Sequence, residues 1–355
     1  MKKVGREPQK LETLNLFAVL QSGSEGALND PANRQSFLTQ VDSGLTTALN
    51  SESTLHGIRV QTMFRGLVAN LDSVEMIKEE DAGECYYKSP DEILVPDFRV
   101  VTDKGKPLLI ETKNHFAKDP LKRYRIRHTD VQALGRYADL SGVPLRFAIY
   151  WAAMNQWTLN DPKRFTVNGD YAEIELFQAM KESEMASLGD FAIGAEYPIT
   201  LRLNADMSKP RETTPERHVS MTIGNADISV GDVRIEDKTE KNIALYLMMY
   251  GKWVYDGGHV ELDDQGLPVA AVHKVTPEDP FPNQGFEIIG SLSSLYSQVY
   301  NSLTLEGRNV SQLNVKEPAA LAPIIPRDIE TKQLKLWRLI FQPNYKDDDS
   351  DAGGE

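Results

Sequence analysis

Three charged side chains fall within VPDFRVVTDKGKPLLIETKN, Val95 to Asn114, where two apolar runs would otherwise read as plain sheet. In a β-strand alternate residues share a face. Glu111 and Lys113 therefore project together from PLLIETK, while Thr112 points the other way. Asp97 follows Pro96 on the preceding run, and proline, which cannot donate to a sheet ladder, often marks an edge or a bend. Two carboxylates converging from neighbouring strands make a hard oxygen site suited to Mg²⁺, with Mn²⁺ able to substitute. Without a cation they repel, and one pKa rises. Lys113 beside them is placed to orient or activate a water, or to stabilise charge developing on a phosphoryl group. The chemistry that fits is phosphodiester hydrolysis. The plain alternative is an exposed hairpin edge with one ion pair, worth little energetically.

A basic segment follows directly. From Lys113 to His128 the sequence KNHFAKDPLKRYRIRH sets Lys113, Lys118, Lys122, Arg123, Arg125 and Arg127 against Asp119 alone. Lys122, Arg123, Arg125 and Arg127 are candidates to hold a nucleic-acid backbone, or they form a solvated loop. Gln132 is a further candidate contact, although Thr129 to Gln132 (TDVQ) also fits a capping box at a helix start. His115 and His128 have no metal-ligand spacing with any partner. Trp151 and Trp157 read as core residues, with stacking on an unpaired base as the alternative.

The elements that position these residues follow from periodicity. RVQTMFRGLVANL places Val60, Met63, Phe64, Leu67, Val68 and Leu71 at helical spacing, so one face is buried. A helix from Pro31 to Asn50 carries Phe37, Leu38, Val41, Leu45 and Leu49 on one side. VEMIK, ECYYK, ILVPDFRVV and PLLIETK read as strands, the last two forming an antiparallel hairpin around Asp103-Lys104-Gly105. A helix to Ser141 stops at Gly142, PLRFAIYW is a buried strand, and AEIELFQAMKESEM is a helix. Beyond Ala195, YPITLRLNA, HVSMTI, HVELDD and LPVAAVHKV are strands, with Asp264-Gln265-Gly266 as a hairpin signal. EKNIALYLMMYG and SLSSLYSQVYNSL are helices, and ETKQLKLWRLIF is an amphipathic piece. The expected division is an irregular arm over 1–30, a first domain over 31–190, a strand-rich accessory domain over 195–342, and an acidic disordered tail over 343–355. The accessory domain would serve DNA recognition, oligomerisation or partner binding.

The whole chain has 355 residues, 41% of them hydrophobic and 26% charged, as a globular protein does. A net charge of −13 argues against coating nucleic acid by bulk attraction. LNLFAVL does not read as a signal peptide, and no stretch is long and apolar enough to span a bilayer, so the expectation is a cytoplasmic protein without a membrane partner. A single cysteine, Cys85, excludes an intramolecular disulfide framework and a cysteine-cluster zinc site.

Pro96-Asp97, followed after a turn by Glu111-Thr112-Lys113 closing an apolar strand, resembles the PD-(D/E)XK phosphodiesterase superfamily. The order of helix, three strands, helix and strand over roughly residues 55 to 155 looks like that family's core. The resemblance implies an α/β, restriction-endonuclease-like mixed sheet flanked by helices, joined here to a second, strand-rich α+β domain. It also implies that Asp97 and Glu111 bind the divalent metal, that the Thr112 carbonyl completes its shell, and that Lys113 is the catalytic lysine. Members of the family are mostly DNA nucleases of restriction, repair, recombination and defence. On that basis the chain is expected to be a Mg²⁺-dependent DNA endonuclease of restriction or anti-phage defence. Its expected partners are DNA and either further copies of itself or a partner protein. With no GxxxxGK[ST] loop in the sequence, any nucleotide hydrolysis would come from a separate ATPase or helicase subunit. Many members place a further acid on the first core helix, but RVQTMFRGLVANL carries none; Glu52, Glu75 and Glu79 are the candidates to replace it. In one exonuclease branch a glutamine and a tyrosine follow on the next helix, and Gln132 and Tyr137 are similar, one residue further apart. Two rivals remain: a nuclease fold that binds DNA without cutting, and an interaction subunit of a larger complex.

Overall fold

The computed structural model describes residues 1, 12–21, 30–81, 85–216, 218–315, 325 and 330–345. The arm expected to be irregular holds a helix, α1 (Thr13–Leu20), while its Gly/Ser-rich patch at 22–29 lies outside the described residues. Helix α2 (Pro31–Leu49) starts where Asp30 accepts from the Ala32 N–H at 2.9 Å, with Pro31 in the first turn where no N–H is needed. Its apolar side is not covered as expected. Only Phe37 is buried, meeting Phe17 of α1 edge-on, whereas Leu38, Leu45 and Leu49 are about half exposed. Spacing marks a stripe, but among the described residues α1 covers it only around Phe37 and leaves Leu38, Leu45 and Leu49 open.

Helix α3 (Glu52–Val68) behaves as its spacing predicts. Val60, Met63, Phe64, Leu67 and Val68 are at most 1% exposed. Strand β1 (Val74–Glu79) pairs antiparallel with β2 (Phe98–Thr102), which pairs antiparallel with β3 (Pro107–His115). The β2–β3 turn uses Gly105 at φ 69°, a conformation that favours glycine. The ECYYK strand does not form, since Cys85 to Lys88 are irregular. Next come β4 (Tyr124–Arg127), α4 (His128–Ser141), β5 (Leu145–Trp151) and β6 (Gln156–Asn160). Because α4 carries the chain back across the sheet, β5 runs parallel to β3, with Glu111 opposite Phe147. The mixed sheet has the order β1-β2-β3-β5-β6. Period-two alternation splits its side chains: Ile110, Ala148 and Tyr150 join the α3 cluster, while Leu109, Phe147 and Ile149 join Leu134 and Ala138 of α4.

After it lie β7 (Thr166–Asn168), β8 (Tyr171–Ile174) and the short α5 (Leu176–Lys181). The long helix expected over AEIELFQAMKESEM is therefore a strand plus a helix of six residues, because Ala172 to Ile174 pair with β4 instead. Then β9 (Ala192–Ala195) and β10 (Ile199–Ala205) open the second half, which contains α6 (Lys238–Tyr250) and α7 (Leu292–Thr304). An antiparallel sheet runs Val233–Arg234, Ile223–Val230, β10, Pro268–Thr276, Val254–Leu262. HVSMTI is split between Val219–Ser220 and the start of Ile223–Val230. The piece expected to be amphipathic near the end is a strand, Leu336–Leu339, which pairs with β9. The protein is thus mixed α/β, with several sheets and seven α-helices among the described residues.

One apolar cluster takes residues from both halves, from Phe64 and Trp157 to Ile199, Leu247, Tyr296 and Tyr300. Polar bonds reinforce that joint: the Trp157 indole donates to Ser297 at 2.9 Å and Asn155 Nδ2 to the Ser294 carbonyl at 2.8 Å. Phe64 sits at its centre, against Phe98 and Trp157. Phe64→Ala is expected to lower unfolding free energy by about 3–5 kcal/mol, whereas Leu45→Ser on the uncovered face of α2 should change it by less than about 0.5 kcal/mol. Urea denaturation of both variants checks the contrast.

Candidate active site

The site forms where β3 carries polar residues into the interior. Leu109 and Ile110 are fully buried, and Glu111 and Thr112 stay below a tenth exposed. Buried polar groups are costly unless bonded, and these are bonded to one another. Asp97, one residue before β2 rather than on it, uses both carboxylate oxygens. Oδ2 accepts from the Thr112 backbone N–H at 2.6 Å and from the Thr112 hydroxyl, and Oδ1 accepts from the Gln61 amide of α3. Glu111 accepts from Lys113 Nζ at 2.6 Å and from the Asp97 backbone N–H at 3.3 Å. Strand alternation gives this division: Lys113 serves Glu111, and Thr112 serves Asp97.

Electrostatics follow from that crowding. Burial first, and the nearby Asp97 charge second, push the Glu111 carboxyl up to about 7, against the opposing pull of Lys113. Tyr124, at the start of β4, is likewise raised, by burial and then by Glu111, so it stays a neutral phenol. Beside Asp97 lies a cleft of about 120 Å³, lined by Gln61, Arg65, Glu79 and Asp81 among others; Glu111 is not part of its wall. The Asp81 carboxyl is raised by partial burial, then by Asp97 and Glu79.

The donor chemistry fits a hard divalent cation. Two buried carboxylates repel, a cation relieves that repulsion, and Mg²⁺ needs only one or two protein carboxylates because it keeps several waters. Such an ion would compete with Gln61 and Lys113 for the carboxylate oxygens. Among the described residues no group of three or more acids, histidines or cysteines could hold a metal, so the fit rests on Asp97 and Glu111.

Other expected contacts are rearranged. Arg125 and Arg123 reach Glu173 of β8, at 2.8 and 3.7 Å, and Arg127 pairs with Asp130 at 3.0 Å. Lys122 is exposed and makes no ion pair among the described residues. The Arg127–Asp130 pair is exposed, weak and open to exchange with phosphate, whereas Glu173 is buried, so Arg125 and Arg123 already compensate a buried carboxylate. The capping box at Thr129 is absent: α4 begins two residues earlier, with Arg127 at its N-cap and no side-chain cap. Gln132 is exposed and shares a 3.1 Å hydrogen bond with His128, one turn back. Tyr137 donates to Glu80 at 2.7 Å, which also holds Arg99, so it takes no part in the carboxylate group. His115 packs edge-on against Trp151, with burial pushing its pKa down, and both tryptophans are core.

Of the three acids considered as replacements for a first-helix acid, Glu79 alone lines the cleft, and Arg65 holds it. Gln61 and Asp81 were not visible as site residues in the sequence. Neither carried a signal: Gln61 is one of several polar residues on α3, and only β1–β2 pairing brings Asp81 close.

No family model matches this chain, and no curated protein is similar to it. Among solved structures, a Holliday junction resolvase from the archaeal hyperthermophile Archaeoglobus fulgidus is similar at 16% identity and a TM-score of 0.20, covering 26% of this chain and 74% of that one.

The raised Glu111 value gives a signed expectation. The fold favours the protonated carboxyl, a contribution complete below the ordinary value of 4.5 and lost as pH rises through about 7. In EDTA, Glu111→Gln should therefore be more stable than wild type at pH 8, by roughly 2–3 kcal/mol, with the gap closing near pH 4.5. Urea denaturation at both pH values measures it; a gap independent of pH would refute the buried-acid account.

Proposed function

We infer that this chain is a metal-dependent phosphodiesterase acting on DNA. The observation that carries this reading is the bonded group of Asp97, Thr112, Glu111 and Lys113 at one end of the β2–β3 pair. It supplies two buried carboxylates and an ammonium within hydrogen-bond reach of one of them. Asp97 and Glu111, with the Thr112 carbonyl, would hold Mg²⁺ or Mn²⁺. A bound ion there polarises a phosphate oxygen and lowers the pKa of a water. Lys113, 30% exposed at its side chain while Glu111 is nearly covered, is the group able to meet a substrate from solvent. Its ammonium orients the attacking water or stabilises charge on the phosphoryl oxygens. Lys122, Arg123, Arg125 and Arg127 lie on or beside β4, whose Tyr124 neighbours Glu111, and would hold the backbone without reading sequence. The net charge of −13 supports activity gated by self-association or by a partner, as in restriction or anti-phage defence.

A second reading, a nuclease fold that binds DNA without cutting it, is favoured by one observation. Both oxygens of Asp97 are engaged by Gln61 and Thr112, and a cation must displace at least one of these donors. Plasmid nicking separates the two. Cleavage in Mg²⁺ or Mn²⁺ that EDTA stops, and that Glu111→Ala and Lys113→Ala each reduce by about a hundredfold or more, is the expected result. DNA binding with no cleavage in any metal, and calorimetric Mn²⁺ binding unchanged by Asp97→Ala, would establish the second reading instead.

A further inference from the structure

Just past Lys113, at the end of β3, a second cavity has a charge problem of its own. Arg59 of α3 is 3% exposed, and its partners are neutral: Nη1 donates to Asn301 Oδ1 at 2.8 Å and to Thr304 Oγ1 at 3.2 Å, and the guanidinium lies 5.9 Å from the Tyr300 ring centroid. Among the described residues no carboxylate pairs with it, and its Nε is buried with no hydrogen-bond partner. Arginine does not lose its proton in proteins, so burial leaves an uncompensated cation, a costly arrangement unless an anion completes it. Asn301 is fixed in turn by donating to Tyr150 at 2.9 Å, which holds the guanidinium in place.

Arg59 lines a pocket of about 320 Å³ between α3, the end of β3, the end of β5 and α7. Lys118 and Arg308 line it too and, among the described residues, no Asp or Glu does, in a chain of net charge −13. Two further polar atoms there are buried without a hydrogen-bond partner: Asn114 Oδ1, and His56 Nε2, which has only Glu52 at 3.9 Å. Phe116, 62% exposed, stacks on His56 with ring centroids 5.6 Å apart and planes 18° from parallel. The volume suits a single small ligand, the cations suit a phosphate, and the open aromatic face suits a base.

We propose that this pocket binds a nucleotide, its phosphate on Arg59 with Lys118 and Arg308 at the mouth and its base against the Phe116–His56 stack. The phosphate belongs to a nucleic-acid strand or to a free nucleotide, which present the same chemistry. The site is separate from Asp97, Glu111 and Lys113, so it stands whether or not the chain cleaves DNA. Calorimetry on the full chain in EDTA, with adenosine monophosphate, adenosine and inorganic phosphate as probes, tests it. Adenosine monophosphate is expected to bind, adenosine at least about tenfold more weakly, and the double variant Lys118→Ala, Arg308→Ala should weaken the monophosphate by about tenfold or more. Arg59→Gln should abolish binding; thermal unfolding is run beside it, and if that variant fails to fold the exposed pair carries the test. Lys113→Ala should bind as wild type does. Displacement of the probe by an oligonucleotide identifies a strand as the source, and no displacement identifies a free nucleotide. Failure of wild type to bind the monophosphate, or binding undiminished in the double variant, overturns the proposal.

Discussion

Asp97 is bonded on every polar atom it has, and the polar end of the mixed sheet depends on that. Its carbonyl accepts from the Glu80 N–H at 2.9 Å, its N–H donates to Glu111, and its two carboxylate oxygens take Gln61 and Thr112. One residue thereby ties α3, β1 and β3 to the start of β2. Three donors reach its buried carboxylate, one from Gln61 and two from Thr112, whereas Glu111 accepts from two, and burial, then the nearby Asp97, raise its pKa. Structure and chemistry are not separable at this point: the contacts that hold the strands in register are the contacts a cation would contest.

Charge is distributed to match. Arg127 and Asp130 pair at the surface, where water screens them, while Arg125 compensates the buried Glu173. Arg59 is balanced by no carboxylate among the described residues, in a place where screening is poor. In a chain that is acidic overall, the basic residues from Lys113 to Arg127 are nonetheless concentrated in one segment, at the end of β3 and just after it.

Much of the mixed sheet was legible because its periodicities are strong. The buried face of α3, the β2–β3 hairpin, the stop of α4 at Gly142 and the buried β5 all follow from spacing and punctuation. The pairing of Glu111 with Lys113 followed from period two. What failed did so for nameable reasons. ILVPDFRVV was apolar enough to be strand throughout, yet the chain pairs only from Phe98. TDVQ has capping residues, but Asp170 accepts the His128 N–H at 2.8 Å, and β4 delivers the chain straight into the helix. AEIELFQAM has helical spacing that a strand partner overrode. Gln61, Asp81 and Arg59 were illegible because their roles depend on residues distant in sequence, such as Asn301 for Arg59.

The joint between α3, β6 and α7 carries a lesson about modularity. Trp157 borrows its acceptor from Ser297, and Arg59 borrows both of its own from Asn301 and Thr304. A shortened polypeptide ending after β9 would keep the mixed sheet yet orphan an indole N–H and a guanidinium inside it. That half is thus poor material for domain grafting, because two of its buried donors find their acceptors in the longer chain.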